Sequence, residues 1–196
     1  MNLKKIKLIG VIGIFIISFI SHFAYDLFPN IIFSFIFPVN ESIWEHMKII
    51  FTSTLLYGII DYQLLKKYKI KYNNFAFQLY FTAISSILIY LVIYIQLYKI
   101  FGEKLFISII LLLLVYMVSQ WISYNILKEK NIKLLNILTI PIILTTYILF
   151  IYLTYNPIHN YLFYDKTNEK YGINEYKKIG IIENKFIDIK KEILYF

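Results

Sequence analysis

The chain has 196 residues, is 59% hydrophobic and 19% aromatic with a net charge of +8, and its mean hydropathy is +0.64. That balance excludes an ordinary soluble domain and places the chain in lipid, while the lack of cysteine excludes disulfides, thiolate metal ligands and a cysteine nucleophile. All twenty basic residues are lysines in short clusters between apolar runs, a layout that membrane topology explains better than nucleic acid does.

A helix crosses a bilayer core with about 20 mostly apolar residues, and five segments meet that test. They are Ile6–Phe28, Trp44–Leu64, Phe75–Leu97, Leu105–Leu127 and Leu134–Tyr155. The first follows Lys4, Lys5 and Lys7 but lacks a small-residue cleavage site, so it reads as an uncleaved span and not a signal peptide. An interfacial or re-entrant loop over Pro29–Ser42 joins it to the second. Pro141 falls inside the fifth run and should kink it or mark its start. The expectation is an all-α membrane bundle of about five transmembrane helices over residues 1–156, with an extracytoplasmic tail over 157–196.

Lysine asymmetry orients the bundle. Lys4, Lys5 and Lys7, then Lys66, Lys67, Lys69 and Lys71, then Lys128, Lys130 and Lys133 fall on one side, against Lys48, Lys99 and Lys104 on the other. This places the N-terminus in the cytoplasm of a multi-pass cell-membrane protein and the C-terminus outside. The tail carries seven further lysines, of which only Lys166 and Lys170 lie near the last span, beside Asp165 and Glu169. A turn is expected at Lys166–Glu169. Ile182, Phe186, Ile189 and Ile193 recur at the spacing of an amphipathic surface helix, which a loose tail would fit equally.

Polar chemistry concentrates in "FPVNESIWEHMK", residues 37–48. Pro38 ends what precedes it, Asn40 or Ser42 can cap the second span, and Ser42 with Glu45 has capping-box spacing. Glu45 and Lys48 can pair on one helix face, and Trp44 suits the interfacial aromatic belt. His46 has no such structural use. In "SHFAYD", His22 and Asp26 lie four apart on one face, about 6 Å along the helix axis. His159 follows the fifth span, with Asp165 six residues on, so the lysine-based topology assigns all three histidines to the outer face.

Two chemistries fit. His22, His46 and His159, with Asp26, Glu41 or Glu45, could hold a divalent metal such as zinc, with an open position for water. Alternatively, His46, Glu45, Glu41 and Asp26 could supply a general acid and base. A hydrogen-bonded network that locks the helix ends is the structural alternative. The polar patch of Ser119, Gln120, Trp121, Ser123 and Tyr124 suits interhelical hydrogen bonding, and Asp61 with Tyr62 should be interfacial. The chain contains no Gly-rich phosphate loop, no Gly-x-Ser-x-Gly elbow and no internal repeat.

At "HFAYD", "PVNESIWEHMK" and "PIHNYLFYDKTNEKYG" the chain resembles an uncharacterised bacterial family of small integral membrane proteins, a domain of unknown function. The resemblance runs to about Gly172 and places His22, Tyr25, Asp26, Asn40, Glu41, Ser42, Trp44, Glu45, His46, Lys48, His159 and Asp165 on the family's polar positions. Asp26 stands where glutamate is usual, Asn160 and Tyr161 replace an apolar residue and a proline, and Asn168 replaces a glycine. The resemblance implies a membrane protein with a shared outer-face polar set, and no reaction. Two functions remain open: a metal-dependent or acid/base hydrolase acting on a lipid or envelope substrate, and a non-catalytic transport accessory or partner-binding subunit. The bilayer is the one partner expected, and nucleic acid is not.

Overall fold

The computed structural model describes residues 1–102 and 104–174, so the helical spacing at residues 182–193 lies outside the described residues. Five long helices run up and down: α1 (Leu3–Leu27), α3 (Ile43–Lys67), α4 (Phe75–Phe101), α5 (Leu105–Lys128) and α6 (Lys133–Tyr155). A short α2 (Ile31–Ile36) interrupts the first loop, capped by Asn30 Oδ1, which accepts from Ile32 N and Phe33 N. The tail forms a two-stranded antiparallel hairpin, β1 (Tyr164–Asp165) with β2 (Lys170–Tyr171), whose turn carries Glu169 in the left-handed region at φ 55°.

Helices α1, α4, α5 and α6 are long and apolar enough to cross a membrane, which makes the chain a multi-pass membrane protein. Helix α3 is as long, 25 residues, but buries Glu45, Lys48, Thr52, Ser53, Thr54 and Asp61. Neighbouring elements supply partners to Glu45, Lys48, Thr52 and Ser53, whereas Thr54 bonds the Ile50 carbonyl of its own helix. Ser53 donates to Ser21 of α1, Thr52 donates to the Ile36 carbonyl, and Lys48 donates to Ser34 and Thr154. Phe19, Ile20, Leu88, Val92 and Ile148 are among the large apolar side chains left on the outside, as lipid contact requires.

Small and polar residues let the helices approach. The Tyr57 ring lies across Gly10 and Gly13, where an added Cβ would meet ring carbons at 3.2 Å and 2.2 Å. Ser18 shares a 2.6 Å hydrogen bond with Tyr116, and of the expected polar patch of α5 Ser123 bonds between helices, donating to Gln78, while Ser119 donates to the Tyr116 carbonyl of its own helix. Its Trp121 instead faces outward, 67% exposed. Helix α6 continues through Pro141.

The alternation of long helices separates two ends. At the lysine end, Ile6, Leu65 and Leu127 pack together, and Asn74 donates to the Ile126 and Lys130 carbonyls. Here Asp61 departs from the interfacial expectation: it is 3% exposed and pairs with Lys7 of α1, also buried. The two charges on facing helices pair through Asp61 Oδ2, while Asp61 Oδ1 is buried without a hydrogen-bond partner among the described residues. Tyr62, beside it, is exposed, with the Lys66 ammonium 4.5 Å from its ring centre. The opposite end gathers the last turns of α1, α4 and α6, the first turns of α3 and α5, and the hairpin.

Candidate functional site

Three ligand-bearing side chains converge at that opposite end. His22 comes from α1, Glu41 from the loop before α3, and His46 from the first turn of α3. Their ligand atoms all lie within 4.8 Å of one another. Each histidine Nε2 is 3.6 Å from Glu41 Oε2, and the two imidazoles meet edge to face at 5.3 Å.

Local chemistry aims these groups. Ser42 Oγ accepts from Glu45 N at 3.3 Å, capping α3, while Ser42 N donates to Asn40 Oδ1. Only half of the expected capping box forms, because the Glu45 carboxylate is engaged elsewhere. His46 Nδ1 lies 2.9 Å from the Ser42 carbonyl, which makes that nitrogen the donor and turns Nε2 toward Glu41. Glu41 N donates to Asp165 Oδ2 at 3.3 Å, so the hairpin holds the Glu41 backbone. Asp165, fully buried, also accepts from Thr167 N, Asn168 N and the Asn168 side chain, and so fixes the turn.

The Glu41 carboxyl is held below the usual carboxylate range, first by the His22 imidazole near hydrogen-bonding distance and also by His46, against the opposing effect of burial. His22 and His46 are each about a third exposed and Glu41 is 41% exposed, so the cluster opens to its surroundings. An apolar cleft of about 310 Å3 runs beside it between α1 and α5, lined by Phe19, Phe23, Ile109 and Leu112 as well as the three polar groups. A second groove, about 440 Å3, leaves Glu41 on its other side toward Lys99 of α4 and Lys166 of the hairpin.

The remaining polar residues of the motif have a different place. Glu45 and Lys48, 1% and 0% exposed, form a 2.7 Å ion pair facing away from the histidines. Glu45 also accepts from Thr154 Oγ1 at 2.6 Å and Val39 N at 3.1 Å. Lys48 donates to the Ser34 carbonyl and Thr154 Oγ1. This clasp joins α2, α3 and α6 beneath the loop that presents Glu41. Trp44 is half-buried, stacked on Phe163 at 4.8 Å and packed on Phe150, so it anchors the tail more than it serves a lipid belt. Asp26 is exposed one turn beyond His22. His159 is exposed and stacks on Tyr171 at 4.4 Å, bracing the hairpin.

Sequence reading grouped the histidines by membrane face with Asp26, Glu41 or Glu45 but could not tell that Glu41 is the carboxylate between His22 and His46. It also missed Thr154, which bonds both members of the clasp, and Tyr90 and Ser108, which line the cleft. Thr154 carried a weak signal, a hydroxyl near the end of an apolar run. No curated protein and no solved structure matches the chain. Residues 1–173 match the model of DUF6512, a family of unknown function, and the chain belongs to that family.

Proposed function

We propose that His22, Glu41 and His46 hold one divalent transition metal ion, zinc being among those that imidazole and carboxylate donors suit, and that the protein is a membrane hydrolase acting on a lipid or envelope substrate. The observation that carries this is the convergence of two imidazoles and a carboxylate within 4.8 Å. Zinc bonds of about 2.0–2.2 Å in tetrahedral array set donors roughly 3.3 Å apart. The 3.6 Å separations around Glu41 are close to that value, and the widest separation of 4.8 Å would have to shorten by about 1.5 Å to reach it.

Three protein ligands leave a fourth position for water, which such a metal makes a nucleophile near neutral pH. Hydrolysis of an ester there adds the water oxygen to the acyl carbon and delivers its proton to the departing alcohol oxygen. The His46 bond to the Ser42 carbonyl orients that ring, and Asp165 orients Glu41 through its backbone. With the N-terminus cytoplasmic, the site lies on the extracytoplasmic side.

Elemental analysis of the detergent-solubilised protein tests the reading, with His46→Ala and Glu41→Gln beside wild type. Near-stoichiometric metal in wild type, lost from both variants while they stay folded, supports it. Absence of metal, including after incubation with Co2+ and with no cobalt absorption band, would make the cluster a polar clasp between helix ends and favour a non-catalytic, partner-binding role.

A further inference from the structure

The two grooves that meet at Glu41 differ in chemistry. On one side, Phe19 and Phe23 of α1 and Leu105 of α5, all exposed, rim an apolar cleft that extends from His22 and Ser18 toward the bundle interior. On the other, Lys99 and Lys166 line a groove whose walls are otherwise mainly tyrosine and isoleucine. The Lys166 ammonium rests 4.1 Å above the Tyr98 ring centre. Glu41 borders both, and Tyr94 and Ile43 carry the surface from one to the other through the histidines.

The three ligands thus sit where a surface for hydrocarbon turns into a surface for anions. His22 lies five residues before the end of α1, about 7 Å along the axis. With the end of α1 at the outer edge of a headgroup layer about 5–7 Å thick, His22 would lie near the boundary between headgroup and acyl chain. Lysine ammonium groups match phosphate oxygens as point charges. Glu41 is the single acidic residue lining the groove among the described residues, and it already faces the two imidazoles. A quaternary ammonium headgroup would therefore meet two like charges there.

We propose that this composite groove binds a membrane phospholipid of net negative headgroup, with part of one acyl chain between α1 and α5 and its phosphate between Lys99 and Lys166. The backbone linkages of the lipid then lie against His22, Glu41 and His46. The choice of substrate class rests on the hydrolase reading above, whereas the binding itself does not depend on a metal.

The test uses the full chain stripped of metal with chelator, in detergent micelles, and a fluorescent phosphatidylglycerol, with phosphatidylcholine of the same chains as comparison. Phosphatidylglycerol should bind at least tenfold more tightly. Lys99→Glu with Lys166→Glu, both exposed positions, should remove that preference, and Ile109→Trp should weaken both lipids by filling the cleft. Glycerol phosphate without acyl chains should not compete. Equal affinity for the two lipids, an unchanged preference in the lysine variant, or full competition by glycerol phosphate would each overturn the proposal. Because metal is absent throughout, failure here is separable from failure of the metal reading, which elemental analysis decides.

Discussion

Lys48→Met probes the clasp beneath the site. The Lys48 ammonium makes three contacts, to Glu45 Oε2 at 2.7 Å, the Ser34 carbonyl at 2.9 Å and Thr154 Oγ1 at 3.1 Å. Methionine fills the space of the stem and supplies none of the donors. Glu45, 1% exposed, would keep only Val39 N and Thr154 as partners for a full charge. Removing one member of such a buried pair costs about 3–5 kcal/mol. For a chain of this size that corresponds to roughly 6–20 °C in Tm, at about 2–4 °C per kcal/mol. Adding Glu45→Gln removes the stranded charge, so the double variant should recover most of the loss and the coupling between the two sites should exceed about 2 kcal/mol. Thermal unfolding in micelles, followed by tryptophan fluorescence, measures all four proteins. A Lys48→Met loss under about 1 kcal/mol, or a double variant equal to the sum of the singles, would refute an uncompensated charge as the source of the cost.

Glu41 gives a pH dependence whose sign follows from its depressed folded value. Its contribution is complete above the ordinary value of 4.5 and is lost as pH falls through the folded value. In metal-stripped protein the stability gap between wild type and Glu41→Gln should be fully present above about pH 4.5. It should close in stronger acid and stay below about 1 kcal/mol because the carboxylate is well solvated. A gap that widens steadily on acidification would contradict this sign. Gly13→Ala places a Cβ 2.2 Å from the Tyr57 ring and should cost about 1–3 kcal/mol by overpacking α1 against α3. Tyr57→Leu in the same chain should return part of that loss, and an additive pair of unfolding temperatures would show the clash was not with this ring.

Much of the fold was legible because lipid imposes it. Long apolar runs mark helices, and alternation of direction alone brings His22, His46 and the segment carrying His159 to one end. The Ser42 cap was equally local, a hydroxyl three residues before Glu45. What adjacency could not reveal was which of two neighbouring acids serves the histidines. Glu45 precedes His46 directly, but successive helical residues point about 100° apart, so one turns to α6 and the other to α1. Glu41 stands one residue before the cap, where no helical period applies. Its direction is set by Asp165, 124 residues away.

The same distinction between local and long-range signals separates the two buried ion pairs. Glu45 and Lys48 are three apart and were legible as a pair, but not their burial, which depends on Thr154 of α6 and Ser34 of α2. Lys7 and Asp61 are 54 positions apart, but Lys7 lies one residue inside the first apolar run and Asp61 three residues from the end of the second, both at the lysine end. A charge inside a span needs a partner, and the opposite charge on an antiparallel neighbour at equal depth is one that can supply it. Matching depth is thus a usable long-range signal in a membrane chain. Applied to the other end, it pairs His22 with His46, each within two turns of its helix terminus, and leaves His159, beyond the end of α6, to the hairpin it braces.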